Sequence, residues 1–199
     1  MTSQFLTALK KRRSIYDLGD KLSINQQDLV TLVKEVVKES PSAFNSQTQR
    51  VVFLFGDAHK KLWEITEAAL KPLTPPEAFS GTQAKLASFA KGYGTLLFFE
   101  DQAVVTHLQE QFPLYAANFP IWSEQASGLT QANVWTALAE QNIGANLQHY
   151  NPVIDEQVAA QWNIPKEWQL RAQMVVGSIE SLPGEKEYMD DTTRFLSFD

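Results

Sequence analysis

Ser40-Pro41-Ser42-Ala43-Phe44-Asn45-Ser46-Gln47-Thr48-Gln49-Arg50 is entered by a helical pattern and left by the apolar run Val51-Val52-Phe53-Leu54-Phe55. A buried helix and a buried strand therefore meet at a loop carrying Ser42, Asn45, Ser46 and Gln47. The loop holds many hydrogen-bonding groups and almost no charge. Pro41 fixes one backbone angle and pushes Ser40 out of the helical region, so the turn is stiff. A stiff, amide-rich loop beside apolar strands suits a flat ligand with polar edges. The plainer reading is a polar turn that ends the preceding helix.

Upstream, Leu29, Leu32, Val33, Val36 and Val37 keep the three-and-four spacing of a buried helical face. Ser23 or Asn25 caps that helix, with Asp28 in its first turn. A shorter amphipathic helix built on Phe5, Leu6, Ala8 and Leu9 runs into Lys10-Lys11-Arg12-Arg13-Ser14. Cations there complement the helix dipole. Paired arginines with a serine hydroxyl also have the chemistry of an anion site.

Downstream, Gly56-Asp57 ends the first strand and Lys60–Lys71 reads as helix. The breakers Pro72, Pro75, Pro76 and Gly81 predict a surface loop over Pro72–Thr82, followed by a helix at Gln83–Lys91. Thr95–Phe99 is a second continuous apolar strand. The Gly92-Tyr93-Gly94 before it precedes a strand instead of following one, so it is not a dinucleotide fingerprint. Gln102–Gln111 reads as helix, and Phe112–Trp122 as an irregular aromatic segment: a wall for an aromatic ligand, or plain core. Ser123–Asn142 is the longest helical pattern and is apolar on more than one side, so it belongs in a core or across a dimer interface. Ala126, Gly128 and Ala132 would let another backbone approach there. Ile143–Asn151 reads as turns closed by Pro152, and Val153–Trp162 as helix. Gln169–Val176, ending at Gly177, is the candidate third strand. The polar tail from Ser178 has too little apolar content to pack alone and is expected on another surface, such as a second subunit.

The chain has 199 residues, 44% of them hydrophobic, enough for a single domain with a sizeable core. Its net charge of −6 argues against a nucleic-acid partner. There is no signal-peptide core and no membrane-length apolar run, so a cytoplasmic protein is expected. The absence of cysteine removes disulfides, thiolate metal sites and a cysteine nucleophile. His59, His107 and His149 lie far apart without carboxylates at ligand spacing, so no metal is expected. The acid pairs Glu100-Asp101 and Asp190-Asp191 read as solvated or capping residues. No nucleophile elbow or phosphate-binding glycine loop is present. An enzyme with this sequence needs a bound cofactor to carry its chemistry.

Three separated segments resemble the flavin-contacting segments of the nitroreductase family in order and spacing. They are Arg12-Arg13-Ser14, Pro41-Ser42-Ala43-Phe44-Asn45-Ser46-Gln47 and Ile143-Gly144-Ala145-Asn146-Leu147-Gln148-His149-Tyr150. The resemblance spans nearly the whole chain and is strongest to the small branch that includes the yeast fatty-acid-repression mutant protein and related bacterial nitroreductases. It implies an α+β fold with a central mixed, mainly antiparallel sheet flanked by helices. It further implies an intertwined homodimer binding FMN in clefts at the interface, with residues 1–199 as one domain and the tail (about 178–199) on the partner.

Carried over by position, Arg12, Arg13 and Ser14 hold the FMN phosphate and ribityl chain. Ser42, Asn45 and Gln47 line the flavin, and Gln148 and His149 lie at its other edge. Lys186 or Arg194 reaches the phosphate. Many family members have a base where this chain has Tyr16, which can offer flavin N1 and O2 only a neutral hydrogen bond; a cation there favours reduction. The implied activity is an NADH- or NADPH-driven, two-electron ping-pong reduction of a small aromatic acceptor, a nitroaromatic or quinone, with no side chain as general acid. A flavin-binding, redox-responsive regulatory protein with little turnover is the second class.

Overall fold

The continuous apolar runs become strands at the centre of the molecule, because a strand covered on both faces needs apolar residues at every position. The structure, a computed structural model of the chain, describes residues 3–198. Strand β2 (Gln49–Phe55) and strand β3 (Gly94–Asp101) pair antiparallel, from Gln49 opposite Glu100 to Phe55 opposite Gly94. Along β3, Leu96 and Phe98 turn to one face while Leu97 and Phe99 turn to the other, and all are buried. The other neighbour of β3 is β5 (Trp168–Ile179), whose far edge carries β4 (Gly144–Gln148) and then the two-residue β1 (Leu18–Gly19). Every ladder is antiparallel, and one isolated parallel bridge joins Ser14 to Ala145. This is an α+β fold with an antiparallel sheet flanked by helices, and the parallel part of the expected mixed sheet is confined to that one bridge.

Helices cover both faces. On one side α3 (Gly56–Leu70), α4 (Pro76–Ala90) and α7 (Asp155–Trp162) bury Leu62, Trp63, Leu86, Phe89 and Val158 against Leu97, Phe99, Leu170 and Val175. On the other, α2 (Gln26–Glu39) and α6 (Phe119–Glu140) bury Leu29, Val33, Val134 and Leu138 against Leu96, Phe98, Ala172 and Met174. Helix α1 (Gln4–Lys11) and helix α5 (Gln102–Gln111) pack on α6. Asn25, not Ser23, caps α2: its Oδ1 accepts from the Asp28 N–H at 2.8 Å.

Several boundaries move for identifiable reasons. The expected loop Pro72–Thr82 is helical from Pro76, because a proline at the first helical position gives up an N–H that has no intrahelical partner. Gly81 lies in an exposed turn of that helix where an added Cβ meets nothing within 4 Å. The aromatic segment is only partly irregular, since α6 begins at Phe119. The expected turns over Ile143–Asn151 contain β4, a strand hidden by its Gly, Asn and Gln content. The third strand extends to Ile179 and is the centre of the sheet.

Helix α6 spans 22 residues and buries residues on several sides, among them Ser123, Ala126, Thr130, Val134 and Leu138. Of the small residues read as a contact stripe, Ala126 is buried within its own chain, whereas Gly128 and Ala132 are exposed. With Ile121, Gln125 and Leu129 they form an uncovered stripe down α6 at helical spacing.

Candidate functional site

The first cluster forms where the chain leaves α1 and runs beside β4. The Ile15 N–H donates to the Ala145 carbonyl at 2.9 Å, and Asn146 Nδ2 donates to the Ile15 carbonyl at 2.8 Å. Gln148 Nε2 in turn donates to Asn146 Oδ1 at 2.9 Å. Two buried amides on one strand satisfy one another and the Arg12–Tyr16 segment, which is how β4 tolerates them. This ladder brings Arg12, Arg13, Ser14, Tyr16 and Gln148 to one region, with His149 exposed just past the strand end. Asn146 is the residue that registers the two segments.

Of the four bases at the end of α1, Lys10 is exposed and makes no ion pair or hydrogen bond among the described residues, and the other three have different surroundings. Lys11 Nζ donates to the Glu140 carbonyl at the end of α6 at 3.2 Å, and Arg13 Nη2 donates to the Gly184 carbonyl at 2.8 Å. Arg12 lies with its guanidinium carbon 4.6 Å from the ring centroid of Trp135. Among the described residues its side chain makes no ion pair and no hydrogen bond. It is a half-buried cation with all its donors unspent.

The second cluster is the loop between α2 and β2. Its backbone is unusual: Phe44, Asn45 and Gln47 have φ of 57°, 49° and 49°. Asparagine tolerates this region, but phenylalanine does not adopt it without compensation. The compensation is aromatic. Phe44 sits 5.1 Å from Phe112, 5.3 Å from Phe119, 5.9 Å from Tyr115 and 6.0 Å from Trp122, measured between ring centroids. Ser42 Oγ accepts from the Gln47 N–H at 3.0 Å, and Arg50 Nη1 donates to the Gln47 carbonyl at 2.7 Å. Loop shape is thus held from inside, while the Asn45 side chain stays exposed and makes no hydrogen bond among the described residues.

Beneath this loop, Thr48 accepts from the Asp101 N–H at 2.9 Å, beside a fully buried Glu100. Glu100 Oε2 accepts from Ser123 Oγ at 2.6 Å and Oε1 has no partner. Burial holds this carboxyl above the usual carboxylate range, opposed by hydrogen bonds from Ser123, Thr48 and Ser127. The pair Glu100-Asp101, expected to be solvated or capping, divides: Glu100 is buried, and Asp101 caps α5 by accepting from the Ala103 N–H at 3.1 Å while pairing with Arg50 at 2.9 Å.

One chain does not bring the two clusters together. Arg12 rests on Trp135 and the Phe44 ring on Phe119 and Trp122, so 13–16 residues of α6, roughly 20–24 Å, lie between them. The exposed stripe Gln125, Gly128, Leu129 and Ala132 occupies that interval. Lys186 and Arg194 are exposed in the tail, stacked on their own neighbours Tyr188 and Phe195. Among the described residues no group of three or more His, Asp or Glu could hold a metal ion, and no helix is long and apolar enough to cross a membrane.

Comparison with known proteins agrees with the fold and the motifs. The chain is 38% identical over 196 residues to HBN1 of Saccharomyces cerevisiae, covering 97% of each. It is 34% identical over 192 residues to the nitroreductase FRM2 of the same yeast, covering 96% of this chain and 95% of that one. The structure of nitroreductase CinD from Lactococcus lactis in complex with nicotinic acid superposes with a TM-score of 0.92 at 54% identity, covering 98% of this chain and all of that one. CinD was also solved with 4-nitrophenol. The nitroreductase family model matches residues 9–178, and the chain belongs to that family.

Proposed function

We propose that the protein is an FMN-dependent oxidoreductase that takes two electrons from NADH or NADPH and passes them to a nitroaromatic or quinone. The observation that carries this reading is the pair of unspent polar groups at the two clusters. Arg12 offers a guanidinium with no internal partner, suited to a phosphate. Asn45 offers a free amide on a loop strained into place, suited to the paired donors and acceptors of a flavin's pyrimidine edge. The residues present therefore fit a ligand with a phosphate at one end and a flat polar heterocycle at the other. Bound FMN supplies the hydride chemistry; the protein contributes binding, orientation and a wall of aromatic rings. The CinD complexes, with a pyridine carboxylate and a nitrophenol, agree with flat aromatic partners for a similar site.

The two clusters meet when two chains do. An isologous contact centred on Gly128 and Leu129, with the two α6 helices antiparallel, sets Trp135 of one chain level with Trp122 of the other. Arg12 of one chain then faces the Phe44–Gln47 loop of its partner. Nothing lies within 4 Å of a Cβ added at Gly128, so another backbone can approach there. The tail exposes Leu182, Tyr188, Met189, Phe195, Leu196 and Phe198, an apolar series that a second subunit would cover. In this arrangement Ser14, Gln148 and His149 belong to the Arg12 side of the cleft, and Ser42 and Gln47 to the other. Arg13 holds the tail backbone, and Lys186 or Arg194 approaches the phosphate when the tail is in place.

The test is anaerobic addition of NADH, then NADPH, to the FMN-loaded protein, followed by 4-nitrophenol or a benzoquinone. Bleaching of the flavin bands and their return with the acceptor supports turnover. Flavin that binds but is bleached by neither nucleotide supports the regulatory class. Protein that takes up no FMN overturns the reading.

A further inference from the structure

Trp135 lies one turn beyond Ala132 of the exposed stripe on α6, half-buried against the core, and its indole Nε1–H is buried without an acceptor. A stranded donor is a cost that a phenylalanine or leucine filling the same gap would avoid. What indole adds is its face, because tryptophan is the strongest of the aromatic partners for a cation. On that face lies Arg12, 4.6 Å away, half-buried and with its side-chain donors unspent, whereas Lys11 and Arg13 are committed to carbonyls. A guanidinium flat on a ring keeps its N–H groups in the plane parallel to the ring, at the edge, where they can grip an anion bidentately. The stack also limits the rotamers of a flexible side chain before any anion arrives.

We infer that Trp135 is a positioning residue that orients Arg12 for a phosphate monoester and so makes the site select phosphorylated over unphosphorylated flavin. This rests on the flavin reading above. Trp135 itself, with its N–H buried, does not touch the ligand. Its effect is therefore confined to the phosphate end and vanishes when Arg12 is absent.

The experiment is a fluorescence titration of apoprotein with FMN and with riboflavin, comparing wild type, Arg12→Ala, Trp135→Leu, Trp135→Phe and the Arg12→Ala/Trp135→Leu double variant. Without the stack, Arg12 must give up its rotamer freedom on binding, which raises the Kd for FMN about twofold to tenfold in Trp135→Leu. Riboflavin affinity stays at the wild-type value, and the double variant binds FMN no worse than Arg12→Ala. Equal weakening of both flavins, or additive losses in the double variant, overturns the inference while leaving the flavin reading intact. A wild type that binds neither flavin overturns both. If Trp135→Leu does not fold, Trp135→Phe decides: a smaller loss restricted to FMN supports the inference, and an unchanged preference for FMN over riboflavin overturns it.

Discussion

Asn45 and His59 show how differently a single polar side chain can be used in this fold. Asn45 is exposed, left-handed in its backbone and free of internal hydrogen bonds, so its amide is available to a ligand. Replacing it by alanine removes one or two hydrogen bonds of about 1 kcal/mol each. Asn45→Ala should therefore raise the FMN Kd about tenfold in a titration, with sedimentation showing an unchanged oligomer. His59 is the opposite case. It is 2% exposed, with Nδ1 2.9 Å from Thr95 Oγ1 and Nε2 unpartnered. Burial lowers its pKa to about 4, against the pull of carbonyls at Phe89, Ala90 and Gly92. The folded state thus holds a neutral imidazole, and its stability contribution is fully present above the ordinary value of 6.5. That contribution is lost as pH falls from there through about 4, by roughly 3 kcal/mol in all. Urea midpoints measured across that window should fall for the wild type and fall less for His59→Gln.

At the scale of elements, α6 does two jobs. Its inner side fixes the Phe44 loop through Phe119 and Trp122 and meets Glu100 through Ser123. Because Glu100 is held protonated more strongly in the fold than in the unfolded chain, stability falls as pH rises from 4.5 through its raised value. Glu100→Gln keeps the shape without the charge and should raise the melting temperature at pH 8, with the gain gone below pH 4.5; a lower melting temperature at pH 8 would place a stabilising charge there. The outer side of α6 carries Leu129, 49% exposed and next to Gly128. Leu129→Glu should shift the protein toward monomer in sedimentation and weaken FMN binding with it. A variant that becomes monomeric yet binds FMN as before would show that one chain suffices.

At the scale of the whole molecule, the physics of burial explains what the sequence made legible. Strands covered on both faces announce themselves as unbroken apolar runs, so Val51–Phe55 and Thr95–Phe99 were readable without a structure. The site residues were reached through motif order rather than local chemistry, and the ladder Gln148–Asn146–Ile15 shows why. Its meaning depends on two segments about 130 residues apart lying side by side, as the separation of 131 between Asn146 and Ile15 records. Strand β4 was hidden for the same reason, since its polar residues are acceptable only because they satisfy each other. The dual use of the terminal bases was equally out of reach: Lys11 and Arg13 are committed to carbonyls at Glu140 and Gly184, and only contacts across the fold single out Arg12.

The central claim is a cofactor site built from two chains, and subunit mixing tests it most directly. Arg12→Ala and Asn45→Ala each damage both sites of their own homodimer. When the two variants are unfolded together and refolded as a mixture, half the dimers are mixed. In a mixed dimer, Arg12 of one chain and Asn45 of the other complete one intact cleft. Tight FMN binding should return to about a quarter of wild-type sites. If both residues serve the same site from one chain, every cleft in the mixture stays damaged. Affinity no better than that of the two variants measured separately would then contradict the account.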